Sequence, residues 1–277
     1  MEAREKEVLN LDEASMLFQL STKTLLKMLR DEAIPARKIG REWRFSRTAL
    51  MEWLASGNSL DYAAAEAGVK EYFDQLAPEY DETRVKCYGS ALRDILLEKA
   101  PVAESAVVAD IGTGTGYLAK ALARKASHVY AVDVSPEMLA VARREMAKES
   151  LGNVEFIEGD ANELPLADAA VDMVFANMLL HHIADPGLAL AQFFRVLKPG
   201  GQVVIADIEE HPHAWTKKEK SDLWQGFDRD ELAQWLTESG FVQVKAEELG
   251  CDCCTTGSKG QMARIKVLMA TGVKPVA

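Results

Sequence analysis

The pattern of apolar and polar positions divides the chain into two regions. Up to Ser56, apolar residues recur at helical spacing in short segments that flank one stretch of strict alternation. From about Val69 onward, short apolar runs of strand length alternate with longer segments of helical periodicity. Such alternation is typical of a parallel α/β sheet. We therefore predict a small domain at residues 1–57, a linker of helical tendency at 58–70, and an α/β domain at 71–277.

The first region predicts two helices, a hairpin and a closing helix. Asn10 is a capping residue before the first helical segment, and Ser21 can cap a second helix at Thr22–Arg30. Alternating residues then flank a turn at Gly40, which predicts a short β-hairpin. A last helix is expected at Arg47–Leu54. Two tightly joined helices followed by a hairpin make a winged helix-turn-helix.

The charge of this region differs from that of the whole chain. Residues 20–50 hold eight lysines and arginines against three acids, whereas the chain carries a formal net charge of −11. Such an asymmetry predicts an anionic partner for this part only, and the alternative is an ordinary solvated face.

The motifs of this region resemble the excisionase/MerR-like DNA-binding family. They are "IPARKIGREWR", which forms the hairpin, and "LMEWL" in the closing helix. The sequence departs from the family at Gln19, where a glycine is usual, and this bears on the turn rather than the fold. The residues expected to face DNA are Lys23, Thr24 and Lys27 for the major groove, and Arg37, Lys38, Arg41 and Arg44 for phosphates. Such folds also serve as protein-interaction modules, so both interpretations stay open.

The second region predicts seven strands with helices between them. The predicted strands are Ala106–Ile111, His128–Asp133, Val154–Glu158, Val171–Ala176, Gln202–Asp207, Phe241–Glu247 and Ala263–Ala270. In such sheets ligands bind beyond the carboxyl ends of the strands. Glycines follow the first strand at Gly112, Gly114 and Gly116, Asp133 ends the second, Asp160 follows the third and Asn177 follows the fourth.

The glycine loop has details that discriminate between cofactors. Its spacing is Gly-x-Gly-x-Gly, whereas dinucleotide-binding loops use Gly-x-Gly-x-x-Gly. The strand before it ends in Asp110, an acid that would repel a pyrophosphate but suits a cofactor carrying an ammonium and a sulfonium group. S-adenosylmethionine (SAM) is such a cofactor, and Asp133 would accept hydrogen bonds from its ribose hydroxyls.

Four ordered motifs resemble the class I SAM-dependent methyltransferases that include the ubiquinone and menaquinone methyltransferases. They are "VADIGTGTGYLAKALA", "VYAVDVSPEMLAVAR", "VEFIEGDANELPLADAAVDMVFANMLLHHIADP" and "RVLKPGGQVVIADI". The resemblance implies a Rossmann-like seven-stranded sheet and a SAM site. The implied cofactor residues are Asp110, Gly112, Thr113, Gly114, Gly116, Asp133, Val134, Met138, Asp160, Ala161 and Asn177. The run "YFDQLAPEYDETR" looks like the lid helix of these enzymes, so Tyr72 and Tyr80 are expected to cover the cofactor, unless they pack in the core.

The acceptor is less well defined by the sequence. Histidines suit a base, and His181, His182, His211 and His213 are available, of which His182 and His211 are our candidates. In enzymes that this chain resembles, one member of the His181-His182 pair is usually structural. Amino-methylating DNA enzymes have Asn/Asp-Pro-Pro-aromatic after the fourth strand, where this chain has "NMLL", and no Pro-Cys motif is present. A small-molecule acceptor is therefore expected.

The four cysteines suggest a possible soft-ion site rather than a disulfide framework. Cys251, Cys253 and Cys254 are expected in a loop between the last two strands, where their thiolates could bind a metalloid such as arsenite, with Cys87 joining them. The alternative is that the three cysteines are simply small residues in a loop and bind no ion. Structural zinc is not expected, because the spacing is not Cys-x-x-Cys.

Composition and the C-terminal third complete the prediction. The chain has 277 residues, of which 48% are hydrophobic and 27% charged, with no apolar run of about 20 residues and no apolar core behind its charged N-terminus, so we expect a cytoplasmic protein without membrane contact.

Residues 209–241 resemble methyltransferases fused to ArsR-type helix-turn-helix domains. We thus expect a small-molecule methyltransferase with a DNA-binding-type module. The alternative is a transcriptional regulator that senses SAM or another ligand. Winged modules often dimerise on palindromes, so a homodimer is one expected assembly.

Overall fold

The computed structural model describes residues 6–31, 34–57, 59–149 and 151–276. Backbone contacts divide the chain into two compact units, residues 1–61 and 62–277. No helix within the described ranges combines the length and apolarity needed to cross a bilayer.

The elements follow the chain in this order. The α-helices are α1 (Leu11–Phe18), α2 (Thr22–Asp31), α3 (Arg47–Ser56), α4 (Ser59–Leu76), α5 (Tyr80–Cys87), α6 (Ala91–Lys99), α7 (Ala119–Ala123), α8 (Pro136–Lys148), α9 (Pro186–Val196), α10 (Trp215–Glu219) and α11 (Arg229–Glu238). The strands are β1 (Val8–Leu9), β2 (Arg37–Ile39), β3 (Glu42–Ser46), β4 (Val107–Ile111), β5 (His128–Asp133), β6 (Val154–Glu158), β7 (Val171–Asn177), β8 (Leu197–Ile208), β9 (Val242–Thr256) and β10 (Met262–Val273). Short 3₁₀ turns lie at Ala77–Glu79 and Leu180–His182.

The N-terminal unit is a winged helix-turn-helix, as predicted. The Asn10 side chain accepts from the backbone N–H of Glu13, and the Glu13 carboxylate accepts from the N–H of Asn10, which closes a capping box at the start of α1. The hairpin β2–β3 is the wing, and β1, which the pattern did not predict, adds a third strand through β3. Leu25, Phe45 and Leu50 are almost completely buried in the core of this unit.

Gln19 occupies the position at which the resembling family has glycine. Its φ of 56° places it in the left-handed region, where it ends α1 and its N–H donates to the carbonyl of Met16. A side chain costs energy in this conformation, whereas glycine adopts it freely. The turn therefore keeps the family geometry without the family residue.

Replacing Gln19 with glycine is expected to stabilise the N-terminal unit by about 0.5–1 kcal/mol, because the strain of a left-handed side chain is removed. Hydrogen exchange of the protected amides in residues 8–57 of the full chain measures this, and exchange should slow by roughly two- to fivefold. Gln243, which has a φ of 52° in the other unit, provides the control. Gln243→Gly should leave those amides unchanged, and equal exchange in Gln19→Gly and wild type would contradict the strain argument.

The C-terminal unit contains the predicted seven-stranded sheet. Its strand order is β6-β5-β4-β7-β8-β10-β9. The five strands from β6 to β8 pair in parallel, and β10 is antiparallel to both of its neighbours, β8 and β9. The chain order reverses beside β4, which pairs with β5 on one edge and β7 on the other. Ligand crevices form at such reversals, beyond the carboxyl ends of the strands. The Rossmann-like fold is thus confirmed, and its crevice lies where the glycine loop follows β4.

Two segments differ from the sequence expectation in this unit. Residues 58–70, expected as a linker of helical tendency, lie almost entirely in the first two thirds of α4. The cysteine run, expected in a loop, lies inside β9, which pairs with β10 as far as Thr256. In this part of β9 alternate positions, Leu249, Cys251, Cys253 and Thr255, are buried or half-buried, whereas of the positions between them Gly250, Cys254 and Thr256 are exposed and Asp252 is half-buried.

The expectation that the cysteines form no disulfide is also corrected. Cys87, on α5, is bonded to Cys253, with the two Cα atoms 4.9 Å apart. The two residues are 166 positions apart in the sequence, so only the fold brings them together. Cys251 shares the packed face of β9 with Cys253, whereas Cys254 is exposed. The three thiols of the run therefore do not converge on one ion.

Candidate functional site

One open cavity lies at the carboxyl ends of β4, β5, β6 and β7, with about 780 Å³ of empty space that is partly open to solvent. Eight of the predicted cofactor residues line it. These are Tyr80, Gly112, Gly114, Asp133, Val134, Met138, Asp160 and Ala161. The remaining five, Tyr72, Asp110, Thr113, Gly116 and Asn177, are not part of its wall.

The glycine loop is held against the end of β5. The N–H of Gly114 donates to one carboxylate oxygen of Asp133 at 2.7 Å, and the N–H of Ser135 donates to the other at 2.9 Å. Gly112 has a φ of +68°, and a Cβ at this position would lie 2.5 Å from Cδ1 of Leu179. The loop thus needs glycine both for its backbone conformation and for the close approach of Leu179. Asp133 faces the cavity with lone pairs left for further donors.

Asp110 acts behind the cavity wall rather than on it. Its side chain is 1% exposed and accepts a hydrogen bond of 2.7 Å from the Thr113 hydroxyl. Gly116 lies against Ala142 of α8, where a Cβ would come within 3.2 Å of the alanine side chain. These three residues shape the loop from behind. Asn177 ends β7, and its carbonyl oxygen Oδ1 is buried without a hydrogen-bond partner.

Burial raises the pKa of the carboxyl groups of Asp110 and Asp133. The pKa of Asp110 rises to about 7 and that of Asp133 to about 6, in each case because burial disfavours the charged form more than the surrounding hydrogen bonds stabilise it. A cationic ligand, or one that donates hydrogen bonds to Asp133, favours the ionised forms. Binding of such a ligand therefore releases protons near pH 6–7.

We expect the affinity for SAM to rise as the pH increases from about 5.5 to 8.0. The rise should be up to about tenfold per pH unit over the range in which Asp110 or Asp133 is still protonated before binding. The folding stability that these two carboxyl groups contribute has the opposite pH dependence. A raised carboxyl pKa contributes stability at low pH that is lost as the pH rises through about 6–7. Calorimetry at several pH values, in buffers of different ionisation enthalpy, measures both affinity and proton release. A pH-independent affinity would contradict this linkage.

Helix α4 and the segment after it cover the cavity. Glu66, Val69 and Phe73 line it from one face of α4, at a spacing of three and then four residues, and Tyr80 continues the cover. Glu66 was placed in the linker by the sequence pattern, and neither it nor its two neighbours on this face was recognised as site residues. The signal present was this i, i+3, i+7 spacing.

The cover is hydrogen-bonded to the loops beneath it. The Ser135 hydroxyl donates to Asp74 at 2.6 Å, the Thr115 hydroxyl donates to Asp81 at 2.7 Å, and the side-chain amide of Asn162 donates to Glu66 at 3.0 Å. These loops follow β4, β5 and β6. Three separate bonds thus fix the cover over the glycine loop and the strand ends.

The two neighbouring histidines have different environments. Nδ1 of His181 lies 2.5 Å from Oδ1 of Asp207, whereas His182 lines the cavity and packs its ring edge-on against Phe73. Burial alone would lower the pKa of His181, but the Asp207 carboxylate raises it above its usual value. Burial and the adjacent His181 lower the pKa of His182 to about 4, so its imidazole is neutral. His182 is therefore the histidine that can meet a substrate.

His211 and Tyr72 lie at the same end of the unit as the histidine pair. Burial lowers the pKa of His211 to about 4, and Nε2 of its ring has no hydrogen-bond partner. Burial and the charge of Asp222 raise the pKa of Tyr72 to about 12. Tyr72, predicted as a cofactor residue, is thus close to the Asp222 charge rather than on the cavity wall.

The residues predicted to face DNA belong to the N-terminal unit. On the wing, Arg37, Lys38 and Arg41 are exposed, whereas Arg44 is paired with Glu42. On α2, Lys23 is exposed, and the hydroxyl of Thr24 is 2.7 Å from that of Ser21, which caps the helix through the N–H of Thr24. The side chain of Lys27 lies outside the described residues. The wing therefore presents three exposed cations on one hairpin.

Comparisons with known proteins agree with both units. Residues 109–205 match the methyltransferase domain family, and residues 8–58 match a helix-turn-helix domain family. The chain is 29% identical over 221 residues to a demethylmenaquinone methyltransferase of Clavibacter sepedonicus, which covers 68% of this chain and 88% of that enzyme. It is 37% identical over 155 residues to an arsenite methyltransferase of Halobacterium salinarum, which covers 53% of this chain and 40% of that enzyme.

A solved structure is similar in fold. It is a phosphoethanolamine N-methyltransferase of Haemonchus contortus in complex with phosphomonomethylethanolamine and S-adenosylhomocysteine. The TM-score is 0.56 at 20% sequence identity, over 68% of this chain and 54% of that chain.

Proposed function

The chain belongs to the class I SAM-dependent methyltransferases and carries an N-terminal helix-turn-helix domain, and from this premise we propose that it methylates a small, largely apolar acceptor held against His182. The observation that carries the proposal is the composition of this cavity's wall. We assign the glycine loop and Asp133 to the cofactor, as the first end, and Phe73 and His182 to the acceptor, as the acceptor end, with Leu179 packed against Gly112 between them. The family implies SAM as the methyl donor.

The proposed cofactor contacts follow from the chemistry of the first end. The ribose hydroxyls of SAM would donate to Asp133, the methionine end would lie along Gly112 and Gly114, and the adenine would pack between Val134 and Met138. The edge of the adenine would meet Asp160 and Ala161. Each of these residues lines the cavity, and the two glycines allow the backbone to approach the ligand closely.

The acceptor end supports an organic acceptor rather than a thiophilic one. Methyl transfer is an in-line displacement, so the enzyme mainly has to position the acceptor atom against the sulfonium methyl. Phe73, Leu179 and Ile183 offer apolar surface, and the neutral imidazole of His182 can accept a proton from an acceptor hydroxyl. No cysteine lines the cavity, and Cys253 is held in a disulfide. This favours a hydroxylated ring over a metalloid.

The test is formation of S-adenosylhomocysteine from SAM by the full chain with a panel of acceptors. We expect turnover with small hydroquinones or phenols, none without an acceptor, and none with arsenite plus a thiol. His182→Gln should reduce kcat by about 10²–10⁴-fold if the imidazole accepts the proton. Two results would contradict the proposed acceptor class. One is binding of SAM without turnover on any ring acceptor, and the other is turnover with arsenite plus a thiol but with no ring acceptor.

A second function, binding of DNA by the N-terminal unit, is favoured by the exposed cations of the wing. Arg37, Lys38 and Arg41 would contact phosphates while α2 meets the major groove. The chain would then be a regulator as well as an enzyme. Electrophoretic mobility shifts with a pool of random duplexes test this, and a triple substitution of these cations by alanine should weaken binding and flatten its salt dependence. Unchanged binding by that variant would exclude the wing as the contact.

A further inference from the structure

A cluster of metal-ligating side chains lies beside the acceptor end of the cavity. His181, His182 and Asp222 each offer a ligand atom, and these atoms lie within 4.8 Å of one another. Nε2 of His181 and Nδ1 of His182 are each 3.9 Å from Oδ1 of Asp222. Two ligands of one tetrahedral ion that bind at about 2.0–2.2 Å are roughly 3.3–3.6 Å apart, so binding of an ion would draw these side chains together by roughly 0.5–1.5 Å.

The carboxylate of Asp222 is mostly buried, with the residue 6% exposed. Within the described residues it has no lysine or arginine within 4.0 Å, and a ring nitrogen of each of the two histidines lies 3.9 Å from its Oδ1. A separation of 3.9 Å is too long for a hydrogen bond. Buried carboxylates are normally paired or bound to a metal, because an isolated one is costly to desolvate.

His181 is oriented as metal-binding histidines are. Its Nδ1 is fixed by Asp207, which is completely buried and also accepts from the N–H groups of Leu180 and Ile208 at 2.8 Å each. This bond leaves Nε2 as the nitrogen that faces Asp222. A carboxylate that holds the far nitrogen of a histidine ring is the usual outer support of a metal ligand.

Two further features shape the cluster. Nδ1 of His182 donates to the carbonyl oxygen of Ser221 at 3.1 Å, and Ser221 has a φ of +55°, in the left-handed region, directly before Asp222. The Nε2 atom of His211 is buried without a partner, and its ring is near enough to feel the Asp222 charge. A metal with a bound water or hydroxyl would supply the missing partner.

We propose that His181, His182 and Asp222 bind one divalent first-row transition metal, of which Zn²⁺ is the representative, through Nε2, Nδ1 and a carboxylate oxygen. Coordination through Nδ1 requires His182 to give up its hydrogen bond to the Ser221 carbonyl, so in the metal-bound protein the ion, and not this imidazole, would activate the acceptor. Two imidazoles and a carboxylate are the donors that such ions accept, and three protein ligands leave a position open. His182 lines the cavity, so the open position would face it. There the ion would hold an acceptor oxygen and lower the pKa of its hydroxyl. This last role rests on the proposed function, whereas metal binding does not.

The experiment titrates chelator-treated full-length protein with Zn²⁺ by calorimetry and with Co²⁺ by visible absorption. We expect one ion per chain with a dissociation constant in the micromolar range or below. Asp222→Asn should weaken binding at least 100-fold, and Asp207→Asn by about 10–100-fold. His128→Asn is the matched control, because His128 is a partly exposed histidine that faces Glu155 on the surface. It should bind as wild type does.

Two further measurements separate the possible failures. A Cys251→Ser/Cys254→Ser variant should keep full affinity, and loss of binding in it would assign the metal to the thiols and overturn the proposal. Affinity for S-adenosylhomocysteine, measured without metal, should be unchanged in Asp222→Asn, which shows that the cavity is intact. Absence of metal binding by wild type, or wild-type affinity in Asp222→Asn, would also overturn the proposal. Failure to bind S-adenosylhomocysteine would instead count against the proposed function.

Discussion

Asp133→Ala is expected to weaken the binding of SAM on the order of 100-fold. The carboxylate would accept two hydrogen bonds from the ribose, and hydrogen bonds to a charged group contribute about 1.5–3 kcal/mol each. Since 1.4 kcal/mol corresponds to a factor of ten in affinity, even the lower value for two bonds gives this loss. The substitution also removes the acceptor for the N–H of Gly114, which loosens the glycine loop. Calorimetry with SAM measures the effect directly.

The control for Asp133→Ala is Glu158→Ala. Glu158 ends β6 and is the backbone partner of Asp133 across the sheet, but its side chain is exposed and does not line the cavity. It should bind SAM within a factor of about two of wild type, a change of only a few tenths of a kcal/mol. Equal losses in the two variants would show that the loss reflects a general effect of carboxylate removal at this edge rather than a ribose contact.

Gly226→Ala is expected to destabilise the C-terminal unit by at least about 3 kcal/mol. A Cβ at this position would lie 2.2 Å from the carbonyl oxygen of Glu209 and 2.8 Å from that of Ile208. Both are backbone atoms at the end of β8, so no side-chain rotation relieves the overlap. The segment around Gly226 must then separate from β8, to which it is bonded by the N–H of Phe227 and the N–H of Glu210. Thermal or urea unfolding of the full chain measures the loss.

Gly260→Ala isolates the cause of that effect. Gly226 and Gly260 have the same φ of +77°, but a Cβ at Gly260 would meet nothing within 4 Å. Gly260→Ala should therefore cost only the conformational strain, about 1 kcal/mol. The difference between the two variants measures the steric contact with β8. Equal shifts in the unfolding midpoint would contradict the close approach of Gly226 to the strand.

The sequence predicts the sheet and the polar ends of its parallel strands well. The runs around Val108 and Val129 are apolar because both faces of these strands are covered, and each is followed by the glycine or carboxylate that lines the cavity. The local signals are strong here since a strand end and a ligand contact fall within two or three residues of each other. Spacing alone thus indicated Gly112 and Asp133.

The features that the sequence did not predict depend on contacts between distant segments. Glu66 joins the cavity because α4 folds over strand ends that come later in the chain, and Cys87 meets Cys253 through the packing of α5 on β9. Asp222 lies in the stretch 209–241, whose resemblance to other methyltransferases did not single it out, and the fold brings it to histidines about forty positions earlier in the chain. Gln19 is the opposite case, since a missing family glycine suggested a changed turn that the backbone nevertheless retains.

A crystal structure of the full chain with S-adenosylhomocysteine would show directly whether the cavity is the cofactor site. We predict one ligand per chain in the cavity, with its ribose hydroxyls on Asp133, its homocysteine along Gly112 and Gly114, and its sulfur directed toward His182. An empty cavity at saturating ligand, or a ligand bound with its ribose away from Asp133, would contradict it.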